Sequence, residues 1–237
     1  MNLKGTTALV TGAGRGIGKA IAITLAKEGV EVVLTARTLA ELGQVKKEIE
    51  SIGGKASVVP ADLTKDPDIA KLFEEISSKF TKLDILVNNA GIGVFAPVRS
   101  LAVTDFDRMW NLNMRAVMLV TQKALKSMEA QKSGAIVNVA SLAGRNAFVG
   151  GAGYAATKWA LIGFFRSLML EVREQNIRVM TICPGSVDTS FSSTPKEPSR
   201  SEKILHSQDV ADTILSALML PDRAMVSEID IRPTNPK

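Results

Sequence analysis

Short runs of apolar and β-branched residues alternate along the chain with longer amphipathic stretches. The runs predict seven strands, at residues 7–10, 30–35, 56–60, 83–87, 136–139, 178–182 and 225–231. The stretches predict helices at about 16–27, 39–51, 66–80, 104–129, 153–175 and 208–219, because their apolar residues recur at spacings of three and four. Apolar strands separated by helices are typical of a parallel sheet covered on both faces. The pattern therefore predicts an α/β fold with a doubly wound, seven-stranded parallel sheet.

The domain organisation follows from the same alternation. We expect residues 1–237 to form a single domain, because no linker or internal repeat interrupts the pattern. Residues 184–206 are the one long irregular stretch of the sequence, and they are rich in serine and proline. Unstructured segments of this length inside a compact domain are usually lids or disordered. We therefore expect a substrate lid over residues 184–206.

The composition is that of a globular protein, with 46% hydrophobic and 22% charged residues among 237, which does not suit a disordered chain. No apolar run approaches the roughly 18 residues that a membrane helix requires, and the first residues contain no signal-peptide core. The single cysteine, Cys183, allows no internal disulfide and is expected to be a packed thiol at a strand end. We expect a cytoplasmic protein.

The net charge of +5 comes from 29 lysine and arginine residues, spread along the chain, against 24 acidic residues. Because they form no basic arm, nucleic-acid binding is not favoured. A bound nucleotide phosphate or an acidic carrier protein accounts for local positive charge more economically. His206 is the only histidine, so neither a Ser-His-Asp triad nor a histidine-bearing metal centre is easily built. We expect no metal site, and we expect His206 in a loop near a helix start.

The first predicted strand leads into the first predicted helix through a glycine-rich segment, Thr11-Gly12-Ala13-Gly14-Arg15-Gly16-Ile17-Gly18. Glycines at this point let backbone N–H groups approach a pyrophosphate at the positive end of the helix. A plain strand-to-helix turn would also use glycines, but the position within the first β-α-β unit favours dinucleotide binding and a Rossmann fold. The residues expected to bind the coenzyme here are Gly12, Gly14, Arg15, Gly16, Ile17 and Gly18.

The end of the second predicted strand indicates which dinucleotide is bound. A site for NAD has an acidic residue there to hold the ribose 2′-hydroxyl, whereas this strand ends Leu34-Thr35-Ala36-Arg37. Arg37 and Arg15 are placed to converge on a 2′-phosphate through charge-assisted hydrogen bonds. The alternative is that both arginines are solvated surface residues. We predict NADP(H).

Candidate catalytic residues lie in and before the predicted helix at 153–175. Tyr154 and Lys158 are four residues apart, so their side chains share one helix face. A tyrosine has a pKa near 10 and is a poor base at neutral pH, but a nearby ammonium favours the phenolate and lowers that pKa. Ser141 is placed to hold a substrate oxygen on which negative charge accumulates. Tyr154 is also the only tyrosine of the chain.

Further motifs occur in a familiar order. They are the glycine-rich segment, Asp62-Leu63, Asn88-Asn89-Ala90-Gly91, Asn113, Ser141, Tyr154-Ala155-Ala156-Thr157-Lys158, and Pro184-Gly185 followed by Thr189. Across nearly the whole chain, this order and spacing resemble the short-chain dehydrogenase/reductase family in its compact form.

The resemblance implies a role for each matching residue. Tyr154 would be the general acid in reduction and the base in oxidation, and Ser141 would orient the carbonyl. Lys158 would bind the nicotinamide ribose and lower the pKa of the tyrosine, and Asn113 would complete a proton relay through water. Asp62 would contact the adenine and Asn89 its ribose. The remaining residues implied at the coenzyme are Leu63, Ala90, Gly91, Ile182, Pro184, Gly185, Val187 and Thr189.

An apolar stripe on the predicted helix at 153–175 is too broad for one buried face. It comprises Trp159, Leu161, Phe164, Phe165, Leu168 and Met169. Core packing explains part of the stripe. The family's helix-to-helix dimer surface would explain the rest, so we expect a homodimer or homotetramer.

The resemblance implies an NADPH-dependent oxidoreductase that reduces a ketone to a secondary alcohol by hydride transfer. The expected enzyme is similar to a 3-oxoacyl-acyl-carrier-protein reductase, and a broad-range NADP-dependent carbonyl or hydroxy-acid dehydrogenase is the alternative. The motifs are similar to those of NADPH-dependent 3-oxoacyl-acyl-carrier-protein reductases, enzymes of fatty acid biosynthesis, and Lys126, Lys132 and Arg173 would suit an acidic acyl carrier protein. The segment 226–237 is instead more similar to broad-range NADP-dependent carbonyl and hydroxy-acid dehydrogenases. The predicted lid contains Phe191 but few other large apolar residues to line a pocket for a bulky, steroid-like substrate. A small or flexible carbonyl compound is therefore expected. A non-catalytic NADP-binding regulator would be expected to lose the tyrosine or the lysine, and both are present.

Overall fold

The sheet dominates the computed structural model, which describes residues 1–191 and 203–234. Its strands are parallel and lie in the order β3-β2-β1-β4-β5-β6-β7. Their bounds are β1 Thr7–Thr11, β2 Glu31–Thr35, β3 Lys55–Val58, β4 Ile85–Asn88, β5 Gly134–Val139, β6 Ile177–Pro184 and β7 Glu228–Ile231. The predicted doubly wound α/β architecture is confirmed, with each predicted strand present within a few residues of its expected bounds.

Helices cover both faces of the sheet. Their bounds are α1 Gly16–Lys27, α2 Leu39–Ser51, α3 Asp66–Lys79, α4 Val103–Trp110, α5 Val117–Gln131, α6 Ala152–Val172 and α7 Ser207–Met219. A π-helical segment, Asn111–Ala116, joins α4 to α5, so the single helix predicted at 104–129 contains a stretch of different hydrogen-bond register. In the described part of the chain, no helix is long and apolar enough to cross a membrane.

A hydrophobic core lies on each face of the sheet, because side chains alternate between the two faces along the buried strands. In β1, Ala8 and Val10 pack into one core while Leu9 packs into the other, as expected when successive side chains point to opposite faces. Helices α1, α2 and α7 cover the first face, and α3, α5 and α6 cover the second. A strand buried on both sides must be apolar throughout, which is the pattern that the sequence displays.

The strand order reverses beside β1, which pairs with β2 on one side and β4 on the other. In open α/β sheets, ligands bind outside the carboxyl ends of the strands at such a switch point. The glycine-rich segment follows β1 and Asn89 follows β4, so the fold brings these two predicted elements together at that place.

Two arginines, one after β5 and one on α6, form ion pairs with the edge strand β7. Arg145, which follows Ser141 by one short turn, pairs with both Glu228 and Asp230. Arg166 of α6 also pairs with Glu228, at 2.6 Å between Nε and Oε1. These ion pairs tie the last strand to the turn that carries Ser141.

The predicted lid at 184–206 lies only in part within the described residues. Residues 192–202 fall outside them, as do 235–237. On either side of the gap, Val187 and Leu205 form a parallel bridge. His206 is the N-cap residue of α7, and its backbone N–H donates to Asp209 Oδ2 at 2.7 Å, so the histidine lies at a helix start as predicted.

Candidate active site

A cavity of about 1000 Å³ lies at the carboxyl ends of the strands. One end is lined by the glycine-rich segment and Arg37, and the other by Ser141, Tyr154 and Lys158. Residues far apart in the sequence therefore share one continuous space. Most of the residues predicted at the coenzyme or the substrate line it, namely Gly12, Gly14, Arg15, Gly16, Ile17, Arg37, Asp62, Leu63, Asn89, Ala90, Gly91, Ser141, Tyr154, Lys158, Pro184, Gly185, Val187 and Thr189.

Residues 12–18, here called the glycine loop, are packed so closely that there is no room for a Cβ at Gly12, Gly14 or Gly18. Gly12 and Gly16 have φ angles of +64° and +55°, which favour glycine. A Cβ at Gly18 would overlap the carbonyl oxygen of Gly12, and one at Gly12 would lie 2.9 Å from Asn89 Nδ2. The loop ends at the first turn of α1, whose N–H groups have no partner within the helix. This cradle fits the pyrophosphate of a dinucleotide.

Asn89 and Thr11 hold the glycine loop against the end of β4. The Asn89 amide donates from Nδ2 to the carbonyl oxygens of Thr11 and Gly12, at 2.9 and 3.2 Å. The hydroxyl oxygen of Thr11 accepts from the backbone N–H groups of Asn89 and Ala90, at 2.9 and 3.1 Å. Asn89 lines the cavity where an adenosine ribose is expected, and it also organises the loop, a role that its position in the motif does not reveal.

Arg15 and Arg37 both line the cavity as exposed side chains. Glu41 lies beside Arg15, and its Oε1 is 3.7 Å from Arg15 Nη1. Glu41 also lines the cavity, and a Cβ at Gly14 would lie 2.9 Å from its Oε2. The sequence analysis did not identify Glu41. The feature that could have identified Glu41 in the sequence is its place in the first turn of α2, shortly after Arg37 at the end of β2.

Asp62 is an ionised carboxylate at the same end of the cavity. Burial opposes ionisation, but hydrogen bonds from the Thr64 hydroxyl and backbone, at 2.7 and 3.1 Å, together with the charge of Arg37, hold the pKa of Asp62 below its usual range. A fixed carboxylate beside a guanidinium provides acceptors for a polar ring edge such as that of adenine.

At the other end, α6 places Tyr154 and Lys158 one turn apart, both deeply buried at 7% and 5% exposure. Lys158 Nζ lies 5.7 Å from the centroid of the Tyr154 ring and donates to the carbonyl oxygen of Val139 at 3.0 Å. Ser141 is at the end of β5, and its hydroxyl oxygen also accepts from the Ala143 N–H at 3.1 Å.

Burial shifts the pKa values of both Tyr154 and Lys158. Burial raises the pKa of Tyr154 to about 12, although a hydrogen bond with Ser141 acts in the opposite direction. Burial also lowers the pKa of Lys158, to about 8. The Lys158 ammonium donates to a backbone carbonyl, and the cost of desolvating the phenolate prevails. The lowering of the tyrosine pKa by Lys158 stays a prediction.

Asn113 lies in the π-helical segment and does not line the cavity. Its Oδ1 accepts from the Ile92 N–H at 2.9 Å, and its Nδ2 donates to the Ile92 carbonyl at 2.8 Å and to Thr157 Oγ1 at 3.1 Å. Thr157 in turn donates to the carbonyl oxygen of Tyr154 at 2.8 Å. Asn113 thus joins the loop after β4 to the turn of α6 that bears the tyrosine, and its relay through water stays a prediction.

A family model described as short chain dehydrogenase matches residues 6–199. The chain belongs to the short-chain dehydrogenase family. An uncharacterised oxidoreductase of Staphylococcus aureus strain MRSA252 is 35% identical over 226 residues, which cover 95% of this chain and 96% of that protein. The resemblance that the motifs predicted is therefore confirmed at the level of the family.

Solved structures of other short-chain dehydrogenases agree. A metagenomic short-chain oxidoreductase in complex with NADP is 36% identical, with a TM-score of 0.87 and coverage of 99% of each chain. A 7α-hydroxysteroid dehydrogenase in complex with NADH and 7-oxo glycochenodeoxycholic acid is 30% identical, with a TM-score of 0.90, over 99% of this chain and 96% of that one. The predicted coenzyme, NADP(H), agrees with the NADP complex of the metagenomic relative. The hydroxysteroid dehydrogenase was solved with NADH.

Residues 184–191 face the glycine loop across the cavity of this short-chain dehydrogenase. Thr189 Cγ2 lies 3.3 Å from the position that a Cβ would take at Gly16, and the Gly185 N–H donates to the Ile231 carbonyl at 2.8 Å. Ile182, predicted on the nicotinamide side, is instead fully buried in the sheet and does not line the cavity. Gly18 is likewise outside the lining, because it packs under the loop. Cys183 is buried as predicted, and burial raises the pKa of its thiol.

Two buried asparagine side chains link neighbouring strands by hydrogen bonds near the carboxyl ends of β4 and β5. Asn88 Nδ2 donates to Asn138 Oδ1 at 2.9 Å and to Thr121 Oγ1 at 3.1 Å, and Asn138 Nδ2 donates to the Met180 carbonyl at 3.1 Å. Asn88 and Asn138 are register partners on adjacent strands. The sequence analysis missed the role of Asn138, for which the signal is a single amide within an apolar strand.

Three phenylalanines form the remaining wall near Tyr154 and are here called the phenylalanine triad: Phe95, Phe148 and Phe191. The Tyr154 ring lies 5.5 Å from Phe95 and 5.8 Å from Phe191, and Phe95 lies 5.9 Å from Phe148, between ring centroids. Of the three, only Phe191 was predicted from the sequence to lie near the substrate. The other two were missed because nothing in their local sequence indicates that their loops meet.

Proposed function

We propose that the protein is an NADPH-dependent oxidoreductase that reduces a ketone to a secondary alcohol by hydride transfer. The observation that carries this proposal is the single cavity shared by the glycine loop at one end and Ser141, Tyr154 and Lys158 at the other. A dinucleotide bound along that cavity would bring its nicotinamide to the hydroxyl groups that a reacting carbonyl requires. When bound, the coenzyme supplies the hydride, and the protein supplies position and electrostatics.

The residues proposed to hold the coenzyme follow the cavity from end to end. The glycine loop and the first turn of α1 bind the pyrophosphate, and Asp62 meets the adenine. Arg15 and Arg37 bind the 2′-phosphate, because guanidinium groups match phosphate oxygens in geometry and charge. Lys158 binds the nicotinamide ribose, while Pro184, Gly185, Val187 and Thr189 line the nicotinamide side. No carboxylate ends β2, which favours NADPH over NADH.

Ser141, Tyr154 and Lys158 carry out the proposed chemistry on the substrate. The Ser141 hydroxyl donates to the carbonyl oxygen, and Tyr154 delivers its phenolic proton to the alkoxide that develops there. A tyrosine whose pKa is about 12 is fully protonated at neutral pH, which suits an acid in the direction of reduction. Lys158, with a pKa of about 8, is mostly charged at pH 7 and stabilises the phenolate that remains.

The sequence predicted two substrate classes, 3-oxoacyl thioesters of an acyl carrier protein and small carbonyl compounds. The positions of two basic residues distinguish between them. Lys132 and Arg173 lie just before β5 and β6 begin, at the amino ends of the strands. The cavity lies at the carboxyl ends, roughly 25 Å away along the eight residues of β6. An acyl carrier protein docked at these residues would therefore not reach this chain's own cavity, so we propose the broad-range carbonyl reductase and not the acyl-carrier enzyme.

Assembly into a homodimer or homotetramer is part of this proposal. Trp159 and Leu170 on α6 and Val103 and Trp110 on α4 are exposed, and α4 packs beside α6. Exposed apolar side chains clustered on adjacent helices are typical of protein interfaces. The stripe predicted on α6 divides accordingly, since Leu161, Phe165 and Leu168 are buried in the core.

The test is NADPH oxidation by the purified protein, followed by absorbance, with small ketones, diketones, aldehydes and a 3-oxoacyl thioester, and with NADH in parallel. The proposal expects turnover of small carbonyls with NADPH and slower turnover with NADH. Rapid turnover of the thioester alone would support the acyl-carrier enzyme instead. Tight NADPH binding with no oxidation on any carbonyl would support a non-catalytic regulator and overturn the proposal.

A further inference from the structure

The phenylalanine triad is exposed where phenylalanine is usually buried. Phe95, Phe148 and Phe191 are 46%, 46% and 44% exposed, whereas Phe165 in the core is 1% exposed. The three residues come from three loops, after β4, before α6 and after β6. Phe95 and Phe191 pack against the ring of Tyr154 and Phe148 packs against Phe95, so the apolar surface that they present lies at the proposed reacting group.

Glycines allow the triad to converge. A Cβ at Gly93 would lie 2.9 Å from Phe191 Cε1 and 3.0 Å from Phe95 Cζ, and a Cβ at Gly151 would overlap the Phe148 ring. The Ala96 N–H donates to the Gly150 carbonyl at 2.9 Å, which joins the loop of Phe95 to that of Phe148. The two glycines therefore let the rings lie close against the backbone, and the hydrogen bond joins the loops that carry Phe95 and Phe148.

The geometry of the rings favours an aromatic occupant over an aliphatic one. The Phe95 ring meets Tyr154 edge to face at 75°, and the two other pairs are tilted by 54° and 56°. Rings at these angles offer both faces and edges to a further ring, and aromatic pairs add attraction beyond the area that they bury. Phe95 and Phe148 would contact a ring whose carbonyl substituent reaches Tyr154.

Charge at this part of the cavity favours a neutral substrate. Arg108 also lines the cavity, but its Nη1 pairs with Asp105 Oδ1 at 2.8 Å. The apolar residues Ile92, Leu142 and Ile204 also line the cavity. A substrate carboxylate would find Arg108 already paired, and its desolvation among phenylalanine rings would be unfavourable.

We propose that the physiological substrate is a neutral ketone that carries an aromatic ring, bound with the ring among the phenylalanine triad and the carbonyl at Ser141 and Tyr154. This inference rests on the proposed function. In the reaction, the carbonyl carbon gains a hydride from NADPH, which is oxidised to NADP⁺. The carbon–oxygen π bond breaks, the oxygen takes the Tyr154 proton, and solvent restores that proton.

The experiment compares 1-phenyl-2-propanone with 1-cyclohexyl-2-propanone. The two ketones match in size, and in both a methylene group separates the ring from the carbonyl, so they differ chiefly in aromaticity. We expect kcat/KM with NADPH to be about tenfold higher for the phenyl compound, the size of the extra attraction between aromatic rings. Phe95→Leu, Phe148→Leu and Phe191→Leu should each reduce that ratio, while Phe73→Leu on α3, distant from the cavity lining, should leave it unchanged.

The outcomes distinguish this inference from the proposed function. Turnover of both ketones at equal kcat/KM, or a ratio that none of the three variants changes, would overturn the aromatic substrate and leave the carbonyl reductase standing. Failure to oxidise NADPH with any carbonyl would overturn the proposed function and this inference with it. Thermal unfolding of each variant beside the Phe73→Leu control shows whether a loss of ratio comes from a folded protein.

Discussion

The glycine loop is built from the backbone of consecutive residues, whereas the phenylalanine triad is built from side chains on three separate loops. In the loop, spacing along the sequence sets the geometry, because positive φ angles at Gly12 and Gly16 and the close contact at Gly18 are local. In the triad, no local feature brings Phe95, Phe148 and Phe191 together. A binding site made of backbone is therefore visible in a sequence motif, while an apolar wall made of side chains from separate loops appears only in the folded molecule.

The largest expected effect separates chemistry from coenzyme binding. Tyr154→Phe removes the phenolic proton while keeping the ring that packs against Phe95 and Phe191. We expect kcat to fall by about 10²- to 10⁴-fold, the usual contribution of a general acid, with the Kd for NADPH nearly unchanged. Steady-state rates and a fluorescence titration with NADPH measure the two quantities. An unchanged kcat would remove Tyr154 from the proposed chemistry.

The next effect concerns the backbone end of the cavity. Gly18→Ala places a Cβ over the Gly12 carbonyl, whose carbon would lie 2.8 Å away, so the loop must shift. We expect the free energy of unfolding to fall by about 1–3 kcal/mol, as for other overpacked sites, and NADPH binding to weaken.

The matched control is Gly43→Ala in α2, where a Cβ would meet nothing within 4 Å. It should raise the free energy of unfolding by about 0.5–1 kcal/mol, because alanine is the better helix former, and it should leave NADPH binding unchanged. Chemical denaturation and coenzyme titration test both variants. Equal behaviour of the two alanines would show that the tight packing at Gly18 has no energetic consequence.

A third effect tests the choice of coenzyme. Arg37→Asp replaces a proposed phosphate partner with a repelling charge, so NADPH should bind about 10- to 100-fold more weakly, as expected for loss of a hydrogen bond between charged groups. NADH should be affected far less. Arg173→Asp makes the same charge change at the opposite edge of the sheet and should preserve the preference. If the preference for NADPH survives in Arg37→Asp, the arginine does not bind the 2′-phosphate.

The smallest effect is the pH dependence of stability at Lys158. The pKa of the folded protein's Lys158 is about 8, below its usual 10.5. Between these values the unfolded chain binds the additional proton, so the free energy of unfolding should rise with pH, by at most about 1.4 kcal/mol per unit. Urea denaturation from pH 7 to 10 should show a rise in the native protein that Lys158→Met flattens. Equal slopes would contradict the pKa shift caused by burial.

Much of the fold and of the coenzyme end was predictable from the sequence, because the relevant signals are local. The strand and helix pattern, the glycine loop and the four-residue spacing of Tyr154 and Lys158 all follow from periodicity or from backbone conformation. Glu41 and Asn138 were not predicted. Their importance arises from a neighbour in space, Arg15 for the first and Asn88 for the second, and neither neighbour is close in the sequence.

The layered α/β architecture, the position of the glycine loop and the residues that could carry the chemistry can all be inferred from local sequence, since helix and strand periodicities depend on each residue and its near neighbours. Three features required the folded molecule: burial raises the pKa of Tyr154 and lowers that of Lys158, Asn89 holds the glycine loop, and Phe95 and Phe191 contact the Tyr154 ring. Burial, desolvation and contacts between loops depend on which distant segments pack together, and this is settled when the chain folds.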